Sequence, residues 1–120
     1  MRMSRGRVFI FDWNVADAAA HAALLRGWGW NVDTESEDGA RGGSTVKLDP
    51  PAVVVFYLDH KPSHSRETAD YLTQTKATRD IPLIFVNGEP ESLEKIKAKI
   101  PTAKFITESE LQKTLEKYAK

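Results

Sequence analysis

The stretch Val53–Asp59 (VVVFYLD) decides the fold, because a continuous apolar run of this length suits a strand buried on both faces of a parallel sheet. Two further runs have the same character, Val8–Asp12 (VFIFD) and Pro82–Asn87 (PLIFVN). In open sheets of this class, ligands gather beyond the carboxyl ends of the strands. The polar residues that end the three runs are therefore the first candidate site residues. They are Asp12, Asp59 and Asn87.

The segment after the first run predicts a helix and then a short strand. Asn14 is the expected N-cap, and five apolar residues have the spacing of a buried helical face. Those five are Val15, Ala18, Ala19, Ala22 and Leu25. His21 is expected to be a partly exposed residue of the same helix. The strand should cover Trp30 to Thr34.

Residues 35–50 are expected to be irregular. Gly42 and Gly43 each oppose a helix by roughly 1 kcal/mol relative to alanine. At most a short or distorted helix is predicted near Ser44 to Leu48.

The second half of the chain predicts three helices and two strands. A helix from Ser65 to about Lys76 precedes the strand formed by the Pro82 run, and Pro90 opens the next helix. A short strand is expected over Lys104 to Thr107. Thr107 and Glu110 then have the spacing of a capping box for a last helix. This alternation predicts a single three-layer α/β/α domain over residues 1–120 with a five-stranded parallel sheet.

Composition narrows the function classes. The 120 residues carry 17 basic and 17 acidic side chains, so no global charge favours nucleic acid or an anionic membrane. The absence of cysteine excludes disulfides and thiolate chemistry. We expect a cytoplasmic protein that is a monomer or weak homodimer, with a flexible N-terminus over residues 1–6.

This order of elements, with these strand ends, resembles the CheY-like receiver domain of bacterial response regulators. The best local stretch is Pro51–Asn87, in which Thr78–Ile84 (TRDIPLI) is similar to the family's approach to its fourth strand. The resemblance covers nearly the whole chain. It implies a flavodoxin-like sheet in the order 2-1-3-4-5, flanked by five helices.

The resemblance also implies where a phosphorylation site would lie. A working receiver has two acidic residues after its first strand to hold Mg²⁺, an aspartate phosphoacceptor after the third, Thr or Ser after the fourth, and lysine after the fifth. The acidic pair is Asp12-Trp13 here, and the Thr/Ser place is Asn87. The lysine place falls on Glu108 or Ser109.

The phosphoacceptor place has two candidates. An ungapped count back from Pro82 puts Tyr57 there, whereas Asp59 fills it only if the following loop is two residues shorter. At the lysine place, the Glu108 carboxylate would repel a phosphoryl oxygen 4 Å away by on the order of 4 kcal/mol. The sequence therefore predicts a degenerate receiver, or pseudo-receiver, that has no catalytic residue or cofactor.

The predicted activity is protein binding. By the resemblance, the partner surface is the region Pro90–Tyr118, and Phe105 matches the aromatic residue that rotates during switching in the family. His60 and His64 are interpreted as surface loop residues rather than metal ligands.

Two alternatives stay open. The first is an active receiver phosphorylated on Asp59, with Lys61 or Lys104 replacing the missing lysine; only under this alternative are Asp12 and Asp59 candidate ligands of Mg²⁺. The second is a small flavodoxin-like enzyme or ligand-binding protein that uses the strand-end pocket. That pocket would be formed by Asp12, Tyr57 and Asn87.

Overall fold

The computed structural model describes residues 4–120, in which five strands alternate with five α-helices. In chain order they are β1 (Arg7–Phe11), α1 (Val15–Gly27), β2 (Asn31–Glu35), α2 (Gly39–Leu48), β3 (Val53–Tyr57), α3 (Pro62–Gln74), β4 (Leu83–Val86), α4 (Pro90–Lys99), β5 (Lys104–Ile106), a 3-10 turn (Glu108–Glu110) and α5 (Leu111–Glu116). All paired strands are parallel, and the sheet order is β2-β1-β3-β4-β5. The predicted fold class and strand order are confirmed.

The core has two layers, one on each face of the sheet. The helices α1 and α5 cover one face, where Leu25 and Leu115 pack against residues such as Val55. The helices α2, α3 and α4 cover the other, where Leu72 and Ile96 are buried. Because the central strands are covered on both sides, their sequences are continuously apolar.

A row of phenylalanine rings crosses the second face of the sheet. Phe11 stacks on Phe56 with centroids 5.0 Å apart, Phe56 on Phe85 at 4.8 Å, and Phe85 on Phe105 at 5.3 Å. The row follows the strand register, since Phe11 pairs with Phe56 and Phe56 with Phe85. It fixes the four strands relative to one another.

The predicted inner face of α1 is partly wrong. The Asn14 cap is present, because the Asp17 backbone N–H donates to Asn14 Oδ1 at 2.9 Å. Val15, however, is 62% exposed, and Ala19 is also exposed. The buried stripe is Ala18, Ala22 and Leu25, since the sheet contacts only a narrow face of the helix.

Residues 35–50 are not irregular, because Gly39–Leu48 form the complete helix α2. Asp38 caps it by accepting the Arg41 N–H at 3.1 Å. A Cβ added to Gly42 would lie 2.4 Å from Phe11 Cε1, so glycine is required where the helix backbone approaches the sheet. Close packing against Phe11 thus explains why a residue of low helix propensity stands at position 42.

Two other boundaries differ from the prediction, and one predicted cap is confirmed. Helix α3 begins at Pro62 rather than Ser65, because proline fits the first helical position. The strand β2 is shifted by one residue from the predicted Trp30–Thr34. The capping box of Thr107 and Glu110 is present, although the turn that it opens is 3-10 before α5 begins.

The two ends of the described chain lie together. Arg5 Nη1 contacts Glu116 Oε2 at 2.6 Å, Arg5 Nε donates to the Trp28 carbonyl at 2.8 Å, and the Lys120 N–H donates to the Arg5 carbonyl at 2.9 Å. Arg5 therefore has partners at the other end of the chain, whereas the expected flexibility of residues 1–6 stays a prediction; residues 1–3 lie outside the described residues. No helix within residues 4–120 is long and apolar enough to cross a bilayer.

Candidate functional site

The candidate site is a cleft at the carboxyl ends of β1, β3 and β4. Phe11 pairs with Phe56, so the next residues, Asp12 and Tyr57, lie side by side. Tyr57 in turn pairs with Val86, the residue before Asn87. The strand register therefore puts Tyr57, not Asp59, directly beside Asp12.

Asp12 is fully buried at the base of the cleft. Its Oδ2 lies 2.6 Å from Nδ1 of His21, while Oδ1 has no hydrogen-bond partner among the described residues. Burial raises the pKa of the Asp12 carboxyl, and the bond and charge of His21 oppose that rise. Because burying a carboxylate without a partner is costly, the bond to His21 stabilises Asp12 in its buried position.

His21 covers the cleft from α1. Its ring stacks on that of Tyr57 with centroids 3.7 Å apart and an interplanar angle of 1°. Its Nε2 lies 3.3 Å from Oε1 of Glu108, so the imidazole stands between two carboxyl groups. The sequence predicted only a partly exposed helical residue at His21, and the neighbouring Ala22 indicates no more than a position at the edge of the core.

Tyr57 is fully buried, and its hydroxyl has no hydrogen-bond partner in residues 4–120. Burial is the main cause that raises the pKa of this hydroxyl, and the charges of Glu108, Asp12 and Asp59 raise it further. The phenol is therefore neutral at physiological pH.

Asn87 connects the two exposed acidic residues at the mouth of the cleft. Its Nδ2 donates to both carboxylate oxygens of Asp59 at 3.3 Å, and its Oδ1 accepts the Glu108 backbone N–H at 3.1 Å. Asn87 has a φ of 63°, which asparagine tolerates better than most residues. This conformation holds Asp59 and Glu108 on either side of one amide.

Trp13 does not line the cleft. Its indole is 6% exposed, packs in the core on the α2–α3–α4 face, and donates from Nε1 to Ser65 Oγ at 2.9 Å. His64 packs edge-on against it at 5.6 Å. The position where a receiver would have its second acidic residue is therefore occupied by a core tryptophan, which offers no oxygen atom to the cleft.

The remaining candidate residues make their contacts with residues other than Asp59 and Asn87. His60 Nε2 contacts Asp17 Oδ2 at 2.8 Å, so His60 and His64 have different partners. Lys61 and Lys104 are exposed, and within residues 4–120 neither forms an ion pair with Asp59. Phe105 is half-buried at the end of the phenylalanine row, with Lys97 Nζ 5.2 Å from its ring centroid.

The residues of the cleft do not fit the Mg²⁺ ion that the resemblance implies. Mg²⁺ requires near-octahedral oxygen ligands. One oxygen of Asp12 is engaged by imidazole, Trp13 points away, and Tyr57 offers a neutral phenol. In the described part of the chain, no group of three or more His, Cys, Asp or Glu side chains is arranged to hold a metal.

Comparison with known proteins identifies the fold. A CheY-like receiver domain of a response regulator from Methylobacillus flagellatus superposes with a TM-score of 0.79 at 17% identity, covering 96% of this chain and 99% of that one. The chemotaxis protein CheY4 of Vibrio cholerae gives 0.78 at 13%, covering 96% and 99%. The chain has the fold of a receiver domain.

A third structural neighbour was solved with a bound magnesium ion. The receiver domain of a sensor histidine kinase from Pseudomonas aeruginosa, whose cleft coordinates magnesium, gives a TM-score of 0.72 at 14% identity and covers 96% and 98%. No family model matches the sequence, and no curated protein matches it significantly.

Proposed function

We propose that this protein is a pseudo-receiver, a cytoplasmic protein-binding module of two-component-type signalling that is not phosphorylated on aspartate. The observation that carries the proposal is the contact set of His21. The imidazole is bonded to Asp12 at 2.6 Å and stacked on Tyr57 at 3.7 Å, so it fills the place beside the strand ends where the chemistry of the fold would occur.

The charges of the cleft support the same conclusion. A phosphoryl group is an anion and needs cations around it. Here Asp59 and Glu108 flank Asn87, and within residues 4–120 the side chain of Glu108 has its ion-pair contact with His21 at 3.3 Å rather than with lysine or arginine. An incoming phosphoryl group would meet carboxylates on both sides, so acceptance by Asp59 is disfavoured.

The proposed partner surface is Pro90–Tyr118, which comprises α4, β5 and α5. A groove of about 200 Å³ lies there between Leu93, Lys97 and Phe105. Exposed Lys and Glu side chains surround it, and such charges favour a salt-sensitive contact. The protein acts in this proposal by binding rather than by turnover.

The test is exposure to acetyl phosphate with Mg²⁺, read by intact mass and by amide NMR. We expect no phosphoryl adduct and no shifts at Asp12, Asp59 or Asn87. The M. flagellatus receiver domain, treated in parallel, controls for the reagent. A mass gain of one phosphoryl group that Asp59→Asn abolishes would contradict the proposal.

One observation favours a second candidate, an active receiver that uses Asp59. The Asp59 carboxylate is exposed and accepts hydrogen bonds from Asn87, the residue at the Thr/Ser place. The same experiment decides between the two. If the adduct forms, Lys61→Gln and Lys104→Gln would show which cation supports it.

A further inference from the structure

The mouth of the cleft is acidic. Asp12 follows β1, Asp59 lies beyond the end of β3 and Glu108 lies beyond the end of β5, so three carboxyl groups lie at this edge of the parallel sheet. Over residues 4–120, the ion pairs of Asp12 and Glu108 are both made with His21, and Asp59 makes none. Within the same range, Asp17 pairs with His60. All remaining ion pairs join a carboxylate to a lysine or an arginine.

The cleft also lacks hydrogen-bond donors. An ionised carboxylate only accepts, and each can accept about four hydrogen bonds. Among residues 4–120, Asp59 receives only the two long 3.3 Å contacts from Asn87, and Glu108 faces His21 at 3.3 Å. Deeper in the cleft, Asp12 Oδ1 and the Tyr57 hydroxyl are buried without any partner in the described chain. A group with several donors and a positive charge would complement the two exposed carboxylates, Asp59 and Glu108.

We propose that the cleft binds a lysine or arginine side chain of a partner protein, held between the carboxylates of Asp59 and Glu108. The proposal rests on the proposed function and adds the chemistry of the partner. An ammonium group carries three donors and a guanidinium five, with no acceptor, so either complements a site made of acceptors.

The two carboxylates are accessible and already held in place. Asp59 is exposed, and the side chain of Glu108 is 52% exposed. Asn87 bonds the Asp59 side chain through Nδ2 and the Glu108 backbone through Oδ1, so both loops stay in position before a ligand arrives. Such preorganisation lowers the cost of binding. The His21–Tyr57 stack closes the cleft below them.

The test uses N-acetyl-lysine methylamide as the probe, titrated into the full chain in EDTA and followed by amide NMR. We expect saturable shifts centred on residues 12, 57–60, 87 and 108. N-acetyl-norleucine methylamide, which has nearly the same shape and no charge, should give none. The double variant Asp59→Asn with Glu108→Gln should weaken binding about fivefold or more, as expected for loss of charged partners.

A matched control changes the same charges elsewhere. Asp80→Asn with Glu67→Gln removes one Asp and one Glu that are exposed and form no ion pair in residues 4–120. This variant should bind the probe as the unaltered protein does. Equal weakening in both variants, or equal shifts with norleucine, would overturn the proposal. The phosphorylation experiment is read separately, so an adduct on Asp59 would refute the pseudo-receiver function without deciding whether lysine binds.

Discussion

Replacing His21 with alanine should destabilise the protein much more than its exposure suggests. The change removes a ring stacked at 3.7 Å on Tyr57, and aromatic pairs contribute about 0.5–1.5 kcal/mol. It also removes the 2.6 Å bond to the buried Asp12, and bonds to charged groups contribute about 1.5–3 kcal/mol. We expect a loss of about 2–4 kcal/mol in the free energy of unfolding, measured by urea denaturation at pH 7.

His60→Ala is the matched control. His60 contacts Asp17 at 2.8 Å, a similar length, but the two side chains are 39% and 48% exposed. An exposed pair contributes about 0–1 kcal/mol, so this variant should lose little stability. In an Asp12→Asn background, His21→Ala should cost less, because the buried charge is gone. Equal losses in the two histidine variants would refute the reasoning about burial.

Three further outcomes test other parts of the structure. Gly42→Ala should lower the free energy of unfolding by about 1–2 kcal/mol, because the clash of the new Cβ with Phe11 exceeds the gain in helix propensity. Gly27→Ala has open space around its Cβ and should raise the free energy of unfolding by up to about 1 kcal/mol. The Arg41 guanidinium and neighbouring N–H groups hold the pKa of Glu35 at about 2. The Glu35 carboxylate therefore contributes its full stabilisation above pH 4.5, and this contribution is lost as the pH falls towards 2. Acid denaturation should show the loss of stability, and the loss should be smaller in Arg41→Gln. Tyr57→Phe removes a buried hydroxyl that has no hydrogen-bond partner in the described part of the chain; the free energy of unfolding in urea should rise, or fall by less than about 1 kcal/mol.

The strands could be predicted because each central one is buried on both faces, which leaves an unbroken apolar run in the sequence. The capping residues Asn14 and Thr107 were readable for a similar reason, since a cap acts within three residues along the chain. Helix α2 was missed because the requirement for Gly42 comes from Phe11, more than thirty residues away. Intrinsic propensity gives no information about such a contact.

The cleft was only half predictable. Pairing between parallel strands places Asp12, Tyr57 and Asn87 at one edge, and the sequence indicated that edge. The part played by His21 depends on where α1 lies over the sheet, which brings its ring onto Tyr57, 36 positions later in the chain. A histidine in an alanine-rich helix has no local pattern that distinguishes such a position. The assignment of the pocket residues to a function stays a prediction.

The contact between Arg5 and Lys120 has a practical consequence for assays. Both residues lie at the end of the sheet where β1 starts, and β1 spans five residues, about 16 Å, before the cleft opens. An affinity tag or fluorophore fused before residue 4 or after residue 120 would therefore emerge on the far side of the molecule. Protein immobilised through such a tag would present Asp59 and Glu108 to the solution, where candidate ligands arrive unhindered.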